Sequence, residues 1–207
     1  FSAVTSNNDY YNFNLHVGDT GHFAIMGETG AGKSTLILLI ITAILRMPKA
    51  RVVLFDKKES SKALCRCMGG EFINIGVDDF SFQIMEKINF DNLLPNNKLK
   101  TLFYDYIHGS YRKYFNGNYV RKESRFIVYE LDTISKNGRL MNLVLSYMFF
   151  DMKETMLTGE FLAVILDEAW KAFQIELIEN QMDEWIREYR KMNAIFGFAT
   201  PVSYTHL

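Results

Sequence analysis

Residues 27–35, GETGAGKST, constrain this chain more than any other stretch of it. They satisfy the phosphate-loop pattern G-x-x-x-x-G-K-[ST] in full. The context is also the one the pattern needs. An apolar strand, His22–Gly27, leads in, and the helical run LILLIITAIL (36–45), nine of whose ten residues are apolar, leads out. Gly27, Gly30 and Gly32 let the backbone wrap closely enough for successive N–H groups to face a phosphate. The helix that starts near Lys33 adds the positive end of its dipole. Lys33 is expected to reach the β- and γ-phosphates of a nucleotide and the Ser34 hydroxyl to hold Mg²⁺. The whole cradle is Gly27, Glu28, Thr29, Gly30, Ala31, Gly32, Lys33, Ser34 and Thr35.

A loop of this kind needs a sheet to carry it, and the remaining pattern supplies an α/β one. Short apolar blocks predict strands at His22–Gly27, Arg51–Asp56, Glu71–Ile75, Arg125–Leu131, Phe161–Asp167 and Ala194–Ala199. Several lack polar alternation, as expected of central parallel strands covered on both faces. Helical periodicity predicts Lys33–Arg46, Ser60–Met68, Lys98–Tyr106, Arg139–Met156 and Ile175–Met192, while Val77–Asn97 is the most loop-like stretch. With 207 residues the expectation is one domain over 1–207, carrying a short helical insertion at roughly 88–124. Because the chain starts at Phe1, it is expected to be a fragment of something longer.

Composition narrows the classes. Apolar residues make up 48% of the chain, which excludes a largely disordered one, and a net charge of −1 excludes an overall basic field for nucleic acid or membrane. Cys65 and Cys67 are the whole cysteine complement, too few for a disulfide framework, and read as reduced thiols. The longest apolar run falls far short of the roughly 20 residues of a membrane span.

A second constellation completes the phosphate site. Ala163–Val164–Ile165–Leu166 is an apolar strand ending in Asp167 and Glu168, a form that delivers acids to the carboxyl edge of a sheet. Asp167 is expected to hold Mg²⁺ and Glu168 to polarise the attacking water. Such a pair alone is equally a helix cap with a solvated neighbour. The phosphate loop in the same chain tips the reading towards hydrolysis of ATP. No LSGGQ-like signature precedes the pair, which excludes an ABC-type transporter subunit.

Further blocks carry a resemblance. LDEAWKAF (166–173), EWIREYRKMNAIFGFAT (184–200), RVVLFDKKESSKALCRCMGGEFINIG (51–76), HGSYRKYFNG (108–117) and RFIVYELDTIS (125–135) occur in the order of the conjugative-transfer, or type IV secretion, ATPase motors. With the phosphate loop they span residues 22–200. The resemblance implies a RecA-like domain of the HerA/FtsK group, working as a homo-oligomer, in all expectation a hexamer. It implies a motor in the bacterial cytoplasm, peripheral to the cytoplasmic face of the inner membrane and in contact with other secretion-channel subunits. A DNA-pumping translocase of the same group and a slow nucleotide-dependent assembly scaffold are the rival readings. Two departures stand out. DDFSFQI (78–84) lacks the family's Asn-Pro pair, and Ala199–Thr200–Pro201 replaces the family's Ala-Thr-Gln. The tail VSYTHL (202–207) resembles translated adapter DNA, so a break in the source sequence near Pro201 is expected.

Three weaker features remain. Arg190, in RKMN at the end of the last expected helix, matches a position from which a cation could serve a neighbouring subunit's γ-phosphate. With Lys191 it is equally a pair of cations at a helix end. Residues 104–125 hold five cations (Arg112, Lys113, Arg121, Lys122 and Arg125) among six aromatics. That mixture suits single-stranded DNA contact, but a solvated tyrosine-rich insertion is the favoured reading. Asp56 and Asp132 end strands on the ligand side, where polar residues are common.

Overall fold

The computed structural model describes residues 2–4, 7–12, 14–15, 21–78, 104–106, 108–115, 124–168 and 192–201. Its centre is a six-stranded sheet whose every pairing is parallel. In chain order the strands are β3 (Phe23–Gly27), β4 (Arg51–Asp56), β5 (Glu71–Asn74), β6 (Phe126–Glu130), β7 (Leu162–Leu166) and β8 (Ala194–Pro201). In space they run β3-β8-β7-β4-β6-β5. All six expected strands are present, each within one or two residues of its expected ends. A small antiparallel pair, β1 (Ser2–Val4) with β2 (Tyr10–Asn12), was not expected. Val4, Tyr10 and Tyr11 are exposed, so no buried face marks that pair in the sequence.

The sheet is covered on both sides, and strand alternation sorts the side chains. Val52 and Leu54 of β4, with Ala163 and Ile165 of β7, face helix α1 (Lys33–Leu45) through Ile37, Ile40, Ile41 and Ile44. Val53 and Phe55, with Val164 and Leu166, face helix α3 (Gly138–Met156) through Leu145, Met148, Phe149 and Met152. Each such large apolar side chain, fully buried, contributes about 1.5–3 kcal/mol. Both faces of β4 and β7 are therefore apolar, which is why those strands read as unbroken hydrophobic blocks.

The helix ends follow from local chemistry. Asn137 caps α3, its side-chain oxygen accepting the Leu140 N–H at 3.1 Å. α1 ends at Arg46 just before Pro48, which cannot continue a helix. Helix α2 (Lys62–Cys67) is shorter than expected and sets Cys65 against the α1 face of the sheet. Burial pushes the Cys65 thiol up to about 11, so it is an inert core residue, while Cys67 is exposed.

Of the expected helix Lys98–Tyr106 only residues 104–106 are described, and they are helical; the expected Ile175–Met192 lies outside the described residues save Met192. The favoured reading of residues 104–125 as a solvated tyrosine-rich insertion is corrected in part: Tyr114 and Phe115 are buried in the α3-side core and Tyr106 and Tyr111 pack against that core, while Tyr104 is exposed. Arg121 and Lys122 lie outside the described residues. No described helix is long and apolar enough to cross a membrane.

Candidate active site

The phosphate loop leaves the carboxyl end of β3 and enters α1. Gly30 and Gly32 both sit at φ +86°, left-handed backbone that side-chain-bearing residues rarely adopt. Ala31 N–H closes the loop onto the Glu28 carbonyl at 3.2 Å. The first backbone bond of the helix is Leu36 N–H to the Gly32 carbonyl. The amides of Lys33, Ser34 and Thr35 therefore precede the helical ladder, and no side chain caps them. They form an uncompensated positive helix end with no acidic residue in its first turn.

β8 lies between β3 and β7, and that order assembles the rest of the site. The register sets Gly27 beside Pro201 and Leu166 beside Phe198, so the loop after β7 opens towards the phosphate loop across one intervening strand. Ser34 Oγ donates to Asp167 Oδ2 at 2.9 Å, joining positions 133 residues apart. Asp167 Oδ1 accepts the Glu168 N–H at 2.9 Å, and the Asp167 N–H is held by the Phe55 carbonyl at 2.9 Å. Burial raises the Asp167 carboxyl above the usual carboxylate range, against the Ser34 hydroxyl and the Glu168 N–H, which favour its charged form. Glu168 itself takes left-handed backbone at φ +55°. For a non-glycine residue this is a strained conformation of the kind concentrated at functional sites.

Lys33 folds back on its own loop, its ammonium donating to the carbonyls of Gly27 at 2.8 Å and Glu28 at 2.7 Å. Those acceptors are neutral, so a phosphate would be the stronger partner. Between the loop and the acid pair lies a cleft of about 380 Å³. Gly30, Gly32, Lys33 and Ser34 line it together with Asp167, Glu168 and Pro201. Thr29 and Thr35 also reach it, whereas Gly27, Glu28 and Ala31 frame the loop behind. Ser34 and Asp167 present hard oxygens side by side, a donor set suited to Mg²⁺ shared with nucleotide phosphates. Arg190 lies outside the described residues.

The cleft is also lined by residues that the sequence reading passed over: Lys57, Lys58 and Ser60, in the turn between β4 and α2. Two buried carboxylates, Asp56 and Glu130, each 1% exposed, build that turn. Asp56 accepts the Lys57 N–H, the Ser60 hydroxyl, and both the N–H and hydroxyl of Ser61, all at 2.6–2.8 Å. Glu130 accepts the N–H groups of Lys58, Glu59 and Asp132. Burial raises the Glu130 carboxyl, and those N–H bonds oppose the shift. The signal in the sequence was a charge at the end of each apolar strand, RVVLFD and FIVYE.

Comparison with known proteins agrees with this geometry. The family model for the central domain of helicase HerA matches residues 13–204. The conjugal transfer protein TrbE of Rhizobium radiobacter is 26% identical over 95% of this chain, and the type IV secretion protein virB4 of Bartonella quintana 21% over 92%. This chain covers 31% of the length of each. A shorter stretch, 37% of the chain, is 40% identical to a probable conjugal transfer protein TrbE of Sinorhizobium fredii, of which it covers 12%. The solved VirB4 of Thermoanaerobacter pseudethanolicus superposes with a TM-score of 0.72 at 16% identity, over 97% of this chain and 76% of that one, and so shares its fold. A phosphate loop and an acid-tipped strand, meeting across one parallel sheet, thus belong to a known lineage: this chain is a member of the HerA central-domain family of P-loop ATPases.

Proposed function

We propose that this chain is the ATP-hydrolysing motor domain of a conjugative type IV secretion ATPase, powering assembly of the channel or transfer through it. The observation that carries the proposal is the Ser34–Asp167 hydrogen bond, which unites phosphate loop and acid pair in one cleft. The conjugal-transfer and secretion relatives favour this reading over a free-standing DNA pump.

In this reading the loop amides and Lys33 bind the phosphates, and Ser34 and Asp167 hold Mg²⁺, which neutralises phosphate charge when bound. Glu168 takes a proton from water as the water oxygen bonds to the γ-phosphorus. The bond from that phosphorus to the bridging oxygen breaks, and ADP and phosphate leave. A homo-oligomer, taken as a hexamer, would let Arg190 of a neighbour reach the γ-phosphate. The domain is proposed to span 1–207 with an insertion near 88–124, at the cytoplasmic face of the inner membrane beside other channel subunits.

The test is ATP turnover by the complete protein, alongside conjugative transfer by cells expressing it. Lys33→Ala should lose nucleotide binding and turnover, and Glu168→Gln should bind while turning over about 10²–10⁴-fold more slowly. Cells carrying either variant should transfer no DNA. Wild-type transfer by Glu168→Gln cells would refute the motor reading.

A further inference from the structure

The geometry points to Lys57 as a positioning residue for hydrolysis, one that holds the Glu168 carboxylate in place for the attacking water. The inference rests on the ATPase reading above and deepens it. Lys57 Nζ lies 3.4 Å from Glu168 Oε2 and 3.7 Å from Asp132 Oδ1. The Lys57 side chain is 13% exposed and that of Glu168 35%, so the contact sits at the edge of the cleft with its ammonium end the more enclosed. Glu168 has no comparable anchor in its own strand, since it stands beyond the end of β7 on left-handed backbone.

The turn that presents Lys57 is made with unusual care. Lys58 and Glu59 are both left-handed, at φ +63° and +56°, although neither is glycine. Strain of this kind persists only where surroundings over-determine the conformation. Here the Asp56 and Glu130 carboxylates do so, taking the N–H groups of Lys57, Lys58, Glu59 and Ser61. A turn that served only to connect β4 to α2 would need neither two buried carboxylates nor two strained residues. What the arrangement accomplishes is to set one ammonium between the ends of three adjacent strands, β6, β4 and β7. From there it reaches the one carboxylate that hydrolysis requires to be aimed.

A base misplaced by about 1 Å can lose roughly 10²-fold in rate while binding is untouched. In the complete protein, Lys57→Met should therefore lower kcat by about 10²-fold and leave the Kd for a fluorescent ATP analogue within about threefold. Lys57→Arg, which keeps the charge, should recover most of the rate. In a Glu168→Gln background, Lys57→Met should cost at most about a further twofold, since the two act as one unit. Should Lys57→Met melt below assay temperature, Lys57→Gln carries the same comparison. The proposal is overturned if Lys57→Met keeps the wild-type rate, if the Kd weakens in step with kcat, or if the losses from Lys57→Met and Glu168→Gln simply add. No ATP turnover by the wild-type protein would remove the hydrolytic reading itself, and full turnover by Glu168→Gln would remove Glu168 as the base, whereas a strongly slowed Glu168→Gln beside a fully active Lys57→Met would remove only the role of Lys57.

Discussion

Two loops line the cleft, and they are built by opposite means. The phosphate loop takes its shape from glycine: Gly30 and Gly32 at φ +86°, with no side-chain cap on the helix that follows. The β4–α2 turn takes its shape from carboxylates, which hold Lys58 and Glu59 in backbone that glycine would adopt freely. The difference follows from what each must offer. A loop that receives an anion has to keep its amides open, so no side chain can be allowed to occupy them. A turn that aims a cation has no such need, and its amides are bound internally for rigidity. Glycine costs entropy in the unfolded chain, whereas buried carboxylates cost desolvation, as the raised Glu130 carboxyl records.

Mutations can break this contrast in order of size. The largest effect is expected outside both loops. In the assembled protein, Arg190→Ala should lower turnover by roughly 10³–10⁵-fold if it serves a neighbour's γ-phosphate. Turnover per subunit should then rise with protein concentration; a dilute monomer with full activity would refute it. Next, Glu168→Gln should cost about 10²–10⁴-fold in kcat, the range for general-base removal, with nucleotide affinity kept. Steady-state turnover beside nucleotide titration separates this from Lys33→Ala, which should lose both.

The two loops themselves should respond differently. Asp56→Ala strands the buried Ser61 N–H and hydroxyl and should cost about 3 kcal/mol of stability in denaturant melts. Gly32→Ala meets no atom within 4 Å of its new Cβ, so its cost should be backbone strain of about 1–2 kcal/mol. Its nucleotide affinity should nevertheless fall further than that of Asp56→Ala. Equal stability losses in the two variants would abolish the distinction drawn between the loops.

The smallest effect concerns Asp167. Its folded-state carboxyl is raised by burial, so in the window just above the ordinary carboxylate range the folded protein binds the extra proton. Stability without nucleotide or Mg²⁺ should fall as pH rises through that window. Asp167→Asn, which removes the titrating group and keeps one of its two acceptor oxygens, should flatten the dependence. A melting curve whose pH dependence matches wild type would contradict it.

The legible parts of this protein are those whose physics is local. GETGAGKST is legible because left-handed turns and close phosphate approach demand glycine at fixed spacing. The strands at Arg51–Asp56 and Leu162–Leu166 are legible because burial on both faces leaves an unbroken apolar run. Even Asp167 and Glu168 were readable, as charges ending such a run. The pairing of Lys57 with Glu168 was not, because 111 residues separate them and only the adjacency of β4 and β7 brings them together. Nor could the sequence reveal that Asp56 and Glu130 serve a turn and not a ligand, since a polar strand end looks the same in either role. By itself, then, the sequence determined the six strands of the central sheet and the residues that end them, which depend on neighbours in the chain. The strand order, with β8 set between β3 and β7, and the partner of each charge were decided by tertiary structure, because both depend on contacts between segments distant in the chain.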